Sequence, residues 1–180
     1  VFQPLVTPRT RIRMLTAEDG FLIQEYYRQN RAHLRPWEPR RSEGFFFLSH
    51  QLELIRVAQL EWEQQRSLRL VALDPQERQV LAEVNLSQLV FGPMQTAQLG
   101  YSVCRCHQGK GLMREVLQEV LNHAFSELGL HRIMASYQPN NRRSERLLQG
   151  LGFIREGYAR EYLKIDGRWR DHVLTALIAP

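Results

Sequence analysis

The segment HQGKGLMREVLQEVLNHAF, from His107 to Phe125, sets a glycine–lysine–glycine turn directly ahead of an apolar helical pattern. Two glycines permit backbone conformations closed to residues with side chains, and they leave N–H groups exposed. A helix that follows adds unpaired donors and the positive end of its dipole. Together these make an anion site suited to phosphate that depends on no particular side chain. A nucleotide-triphosphatase loop is a poor match, because Lys110 is followed by Gly111 and no magnesium-binding hydroxyl. A dinucleotide fingerprint would need a third glycine where Arg114 stands.

A second group of chemically active residues lies just upstream. Cys104, Cys106 and His107 suggest nucleophilic catalysis, since a thiol needs a nearby base. On a strand, however, adjacent residues face opposite ways, which turns His107 from Cys106. Cys104 and Cys106 would point the same way and not easily bridge each other. Two cysteines exclude a disulfide framework, and the spacing matches no zinc pattern, so no metal is expected. Glu83, Asn85 and Ser87 share one face of an otherwise apolar strand, opposite Ala82, Val84 and Leu86. Such a face needs hydrogen-bond partners, from a bound peptide backbone or from the neighbouring hairpin. Trp37, in the loop RAHLRPWEPRR, is an aromatic with a polar handle, suited to lining a peptide groove.

The elements that must position these residues read clearly. Arg9–Leu15 alternates as a strand, Thr16 with Asp19 opens a helix running to about Ala32, and Phe47–Arg66 is a second helix. SLRLVALD, VLAEVNLSQLVF and TAQLGYSV are three strands joined by short turns, hence antiparallel neighbours. Gly111–Leu128 repeats apolar residues at four-residue steps and is closed by Gly129. HRIMASY is a strand and Arg142–Gln149 a helix. GFIREGYAREYLKI and RWRDHVLTALI form a terminal hairpin around Asp166–Gly167. The order β-α-α-β-β-β-α-β-α-β-β, without linker or repeat, predicts one α+β domain over residues 1–180 around a mixed sheet.

The chain has 180 residues, 43% hydrophobic and 24% charged, as expected of an ordinary globular domain. No segment approaches a membrane span and no secretory signal is read at its head, so the cytoplasm is the default compartment and no membrane partner is expected. The net charge of +5 comes almost wholly from arginine, Lys110 and Lys164 being the only lysines. Short clusters at Arg9/Arg11/Arg13, Arg40/Arg41 and Arg142/Arg143/Arg146 suit either a solvated surface or a polyanionic partner.

The stretch GYSV…QGKGLM…HRIMASYQPNNRRSERLLQGLGF resembles the GNAT acetyltransferases. Their Q/R-x-x-G-x-G/A pattern lands on Gln108, Gly111 and Met113, with Met113 where most of that superfamily has glycine or alanine. Their N-x-x-S helix start lands on Asn141 and Ser144, and their G-F strand start on Gly152 and Phe153. EGYAREYL and DGRWRDHVLTAL bring the chain nearest to the ribosomal-protein N-terminal alanine acetyltransferases of RimJ type. The resemblance is dense over the second half and loose over the first, where RPWEP carries it. It implies a mostly antiparallel sheet with helices on both faces and strands splayed at a cofactor cleft.

It also implies acetyl-CoA as co-substrate and no metal. Backbone at Tyr101, Ser102 and Val103 would pair the pantetheine and polarise the acetyl carbonyl. Gln108, Gly109, Lys110, Gly111, Leu112 and Met113 would hold the diphosphate, and Asn141 the pantetheine arm. Ser144 would protonate the departing thiolate, because the tyrosine that many relatives carry four residues on is Leu148 here. Relatives often place a glutamate base at the positions of Ala135 or Gln98, so Glu161, beside Tyr162, becomes the candidate base, with Glu83 the other option. Trp37, Asn85 and Tyr162 would bind the acceptor. The implied acceptor is the N-terminal alanine of a ribosomal protein, small-subunit protein five. Two other readings stand beside it: acetylation of a small-molecule amine or polyamine, and a non-enzymatic ribosome- or RNA-binding module using the arginine clusters.

Overall fold

The computed structural model describes residues 2–180; Val1 lies outside the described residues. Eight strands form one sheet, numbered in chain order: β1 Leu5–Val6, β2 Arg11–Arg13, β3 Leu68–Leu73, β4 Val80–Val90, β5 Thr96–Val103, β6 Arg132–Tyr137, β7 Ile154–Ile165 and β8 Arg168–Ile178. Four helices cover it: α1 Gly20–Leu34, α2 Leu48–Glu63, α3 Leu112–Ser126 and α4 Arg142–Gly150. No described helix is long and apolar enough to cross a membrane. The spatial order is β1-β2-β3-β4-β5-β6-β8-β7, and every pairing is antiparallel except β5 with β6.

The expected element order holds, with one addition. The two-residue β1 pairs with β2 through Leu5↔Ile12 and Val6↔Arg11. Two residues carry no periodicity, so nothing in the sequence marks this strand. The first expected strand is also shorter: it starts at Arg11, after a turn closed by the Thr7 N–H on the Thr10 carbonyl at 2.9 Å, and ends at Arg13, and a 3₁₀ turn at Ala17–Asp19 precedes α1. The terminal hairpin forms as read: Asp166 and Gly167 both have positive φ, 45° and 79°, as a primed two-residue turn requires. Its strands do not follow chain order, because β8 lies between β6 and β7.

Side-chain alternation splits the core in two. Leu70, Ala72, Ala82, Val84, Leu86, Ala97 and Leu99 face α3, whose Val116, Leu117, Val120, Leu121 and Ala124 are fully buried or nearly so. On the other face, Val71, Leu73 and Val80 meet Ile23, Tyr26, Tyr27 and Leu34 of α1 and Ile55 of α2. At the end of α3, Gly129 at φ 64° turns the chain out and the Leu130 N–H closes on the Ala124 carbonyl at 3.1 Å.

The entry to α1 is held electrostatically. The Asp19 carboxylate accepts from the Thr16 N–H at 2.7 Å and from the Arg13 guanidinium at 2.7 and 2.9 Å. Burial works against the Asp19 charge, but Arg13 and Thr16 outweigh it and hold its carboxyl below the ordinary value. A folded value below the unfolded one gives stability that is present above the ordinary aspartate range and lost as pH falls through the lowered value. Asp19→Asn is therefore expected to cost about 1–3 kcal/mol at neutral pH. The deficit should shrink on acidification, as read by urea unfolding at a series of pH values.

Candidate functional site

Strands β5 and β6 run in register from Thr96↔Arg132 to Leu99↔Ala135 and then part. Beyond that point β5 stays with β4 (Asn85↔Gly100 to Ala82↔Val103), while Ser136 and Tyr137 stay with β8. The gap opens into a cleft of about 970 Å³ that reaches both faces of the sheet. On one side its walls are Leu99–Val103, His107–Gly109, Gly111–Arg114 and the start of α4; on the other they are Trp37, Glu38, Arg69, Glu83 and Asn85.

The glycine turn sits at one mouth of this cleft. Gly109 and Gly111 both have φ 75°, in the left-handed region that favours glycine, and Gly111 is the N-cap of α3. Nothing lies within 4 Å of a Cβ built on Gly109, so that position faces open space. Being in the first turn, Leu112, Met113 and Arg114 have backbone N–H groups without helical acceptors. Arg143 and Arg146 of α4 line the same cleft, and the Arg143 guanidinium donates to the Gln108 side chain. The donor set fits a diphosphate: unpaired amides, a helix N-terminus and two guanidinium groups.

Asn141 caps α4, its Oδ1 accepting from the Ser144 N–H at 3.1 Å. The Ser144 hydroxyl is hydrogen-bonded to the phenol of Tyr101. Burial pushes the Tyr101 phenol up to about 12, overriding the opposing effect of the Ser144 bond, so the phenol keeps its proton at neutral pH. Ser102 is occupied by the Tyr26 hydroxyl at 2.7 Å, and the Val103 carbonyl lies 3.1 Å from His33 Nε2.

On the opposite face, Glu83 is 8% exposed and is bound by both the Arg69 guanidinium and the Tyr27 phenol. Tyr27 is raised well above its ordinary value, by burial first and by the Glu83 charge second, so it remains a donor to the carboxylate. The polar face read on β4 thus finds an internal partner as well as the cleft. Glu38 is a residue the sequence reading missed. It lines the cleft, and burial, reinforced by the Glu83 charge, raises its proton affinity despite Arg41 at 3.6 Å. Its loop is fastened by the Glu38 carbonyl to Asp166 N–H at 2.9 Å and by the Pro36 carbonyl to Gln138 Nε2 at 3.0 Å. A lone glutamate in RPWEP carries no sequence signal; only the fold desolvates it.

Among the candidates, Tyr101, Ser102, Val103, Gln108, Gly109, Gly111, Leu112, Met113, Asn141, Ser144, Trp37 and Asn85 all line the cleft. Lys110, Glu161 and Tyr162 are not in its walls. The Lys110 carbonyl accepts from Arg9 at 2.9 Å. Glu161 is exposed on a bulge of β7, at φ 48°, with its N–H donating to Asp171 at 2.9 Å. The Tyr162 ring leans on His172, which does line the cleft, at 5.7 Å between centroids.

The strand geometry expected at Cys104–His107 is corrected. β5 ends at Val103, and Arg105–His107 form a 3₁₀ turn. The turn folds His107 Nδ1 to 3.0 Å from Cys104 Sγ and 3.2 Å from Cys106 Sγ, with the two sulfurs 3.0 Å apart. Burial pushes the Cys104 thiol up to about 12, so it is not a standing thiolate nucleophile. The arginine clusters are largely engaged: Arg9 pairs with Glu115 at 2.6 Å, Arg13 with Asp19 and Glu77 at 2.7 Å each, and Arg142 with Glu145 at 2.8 Å.

Comparison with known proteins agrees with this geometry. Residues 9–154 match the acetyltransferase (GNAT) domain family. The chain is 40% identical over 176 residues to the [ribosomal protein uS5]-alanine N-acetyltransferase of Escherichia coli, covering 98% of this chain and 91% of that one. Among solved structures, the ribosomal-protein-S5-alanine acetyltransferase of Vibrio fischeri superposes with a TM-score of 0.93 at 33% identity, covering 98% of this chain and 97% of that one. Mycobacterium smegmatis RimJ in complex with CoA-disulfide gives 0.89 at 27% identity, covering 94% and 82%. With parted strands, a glycine-capped helix start and a match along almost its whole length, this chain belongs to the GNAT acetyltransferase family.

Proposed function

We propose that this protein transfers the acetyl group of acetyl-CoA to the N-terminal α-amine of a ribosomal protein, the acceptor being the N-terminal alanine of uS5. The observation that carries the reading is the cleft between β5 and β6, in a chain whose likeness to uS5-alanine acetyltransferases covers 98% of its length. Acetyl-CoA supplies an activated thioester; the residues of this chain do the rest. Gln108, Gly109 and Gly111 to Met113 hold the diphosphate, with Arg143 and Arg146 beside them and Lys110 just outside the cleft wall. The backbone of Tyr101 to Val103, along the parted edge of β5, receives the pantetheine and polarises the carbonyl. Asn141 supports the pantetheine arm. Trp37 and Asn85 bound the acceptor end, with Tyr162 behind His172.

The proton inventory follows from the two faces of the sheet. Ser144, backed by the protonated Tyr101 phenol, supplies a proton to the leaving thiolate. An α-amine has a reference pKa of about 7.7–8.0, so a weak carboxylate base is sufficient. Glu38, which lines the cleft, has the raised proton affinity that such a base needs, whereas Glu161 stands exposed outside the cleft walls. Glu83, tied to Arg69 and Tyr27, keeps a fixed negative charge near the incoming amine.

The direct test offers labelled acetyl-CoA with a panel of N-terminal peptides and with spermidine. Acetylation of the Ala-initiated uS5 peptide is expected; turnover on the polyamine alone would overturn the reading. Gly111→Ala must place a side chain at φ 75°, a strain of about 1–2 kcal/mol. CoA binding by calorimetry should weaken by about tenfold with the fold intact. Glu38→Gln is expected to lower kcat/KM by about 10²-fold and to remove the acidic limb of its pH profile. Because the raised Glu38 value means that its charge disfavours the fold at neutral pH, the same variant should unfold at a slightly higher temperature. If Glu161→Gln instead produces the kinetic loss, the base is Glu161.

A further inference from the structure

Cys104, Cys106 and His107 take no part in the acyl transfer described above, yet their ligand atoms converge. All three lie within 4.8 Å of one another, with a triangle of 3.0, 3.0 and 3.2 Å between Sγ, Sγ and Nδ1. From the geometry we infer that this turn is a binding site for a thiophilic d¹⁰ cation, Zn²⁺ or Cu⁺, held by two thiolates and one imidazole. Soft sulfur ligands with an imidazole select such ions over magnesium or calcium.

Three features support it. First, the triangle is close to the size a metal needs. Zn–S bonds of about 2.3 Å and a Zn–N bond of about 2.1 Å set tetrahedral ligands about 3.6–3.8 Å apart. The three atoms must separate by less than about 1 Å, which rotation at the exposed Cys106 and at the partly exposed His107 can provide. Second, the backbone is already fixed around them. The His107 N–H closes on the Cys104 carbonyl at 3.1 Å, and the Arg105 N–H donates to Asn30 Oδ1 at 2.9 Å, tying the turn to the buried face of α1. Third, burial is graded. Cys104 is 2% exposed, His107 intermediate and Cys106 exposed, so an ion approaches from solvent and finds one ligand already desolvated. Three protein ligands leave the fourth position of Zn²⁺ to solvent, whereas Cu⁺ accepts three. Binding balances as one cation taken up and two thiol protons released to solvent, with His107 neutral and coordinated through Nδ1. Because Gln108 follows His107 directly, an ion here braces the turn that leads into the glycine loop.

Titration of the full, reduced chain with Co²⁺, and in parallel with Zn²⁺, tests the site. Expected are one Co²⁺ per chain, a near-ultraviolet thiolate-to-cobalt charge-transfer band, displacement of that band by Zn²⁺, and release of two protons per Zn²⁺ in weakly buffered solution. Cys106→Ser and His107→Asn are both at accessible positions. They should each weaken Co²⁺ binding by at least tenfold while leaving the circular dichroism spectrum unchanged. Absence of the band in the wild-type chain, or a band that survives in Cys106→Ser, would overturn the site. So would loss of both free thiols in air with no metal bound, since that result makes the pair a disulfide couple instead.

Discussion

The separation of β5 from β6 after Leu99↔Ala135 governs the rest of the molecule. A parallel pair requires a crossover, and α3 is that crossover, so its N-terminus must lie at the carboxyl end of β5. In open sheets that is also where strands diverge and ligands enter. Each strand keeps its other neighbour, β4 for one and β8 for the other, so parting exposes only the two inner edges. Backbone groups on those edges need partners. The fold thereby creates one slot with unpaired peptide groups along its sides and helix amides at its mouth. An extended chain ending in a diphosphate satisfies both.

The far side of the slot depends on a buried ion pair. Arg69 and Glu83 face each other across β3 and β4, with Tyr27 of α1 completing the group. A pair of this kind contributes little net stability, because desolvation offsets its attraction. Its consequence here is positional. It holds a negative charge at a fixed point in the cleft wall, and that charge helps to raise the neighbouring Glu38. Neither effect would survive replacement of the pair by an apolar contact.

The sequence made the frame legible because periodicity survives folding. The α3 stripe, the alternation of β4 and the Asp166–Gly167 turn each follow from spacing alone, and each appears in the structure. The glycine turn was equally readable, since φ 75° at Gly109 and Gly111 is a backbone demand written as residue type. Three things were not readable, each for a physical reason. β1 is too short to carry a pattern. Continuing the strand through Cys104–His107 overlooked the 3₁₀ turn, which reverses the side-chain geometry and brings together atoms a strand would separate. Glu38 owes its character first to burial and then to the charge of Glu83, more than thirty positions away, and no local window contains either.

The remaining step concerns where protons can move. Tyr101 and Ser144 lie on the α3–α4 side of the sheet, and the phenol, pushed up to about 12, keeps its proton at neutral pH. Glu38 and Glu83 lie on the α1–α2 side. In this chain a continuous sheet lies between the two sets, and only the gap beyond Leu99 and Ala135 joins them. An amine arriving from one face and a thioester laid along the other can therefore meet in that gap alone.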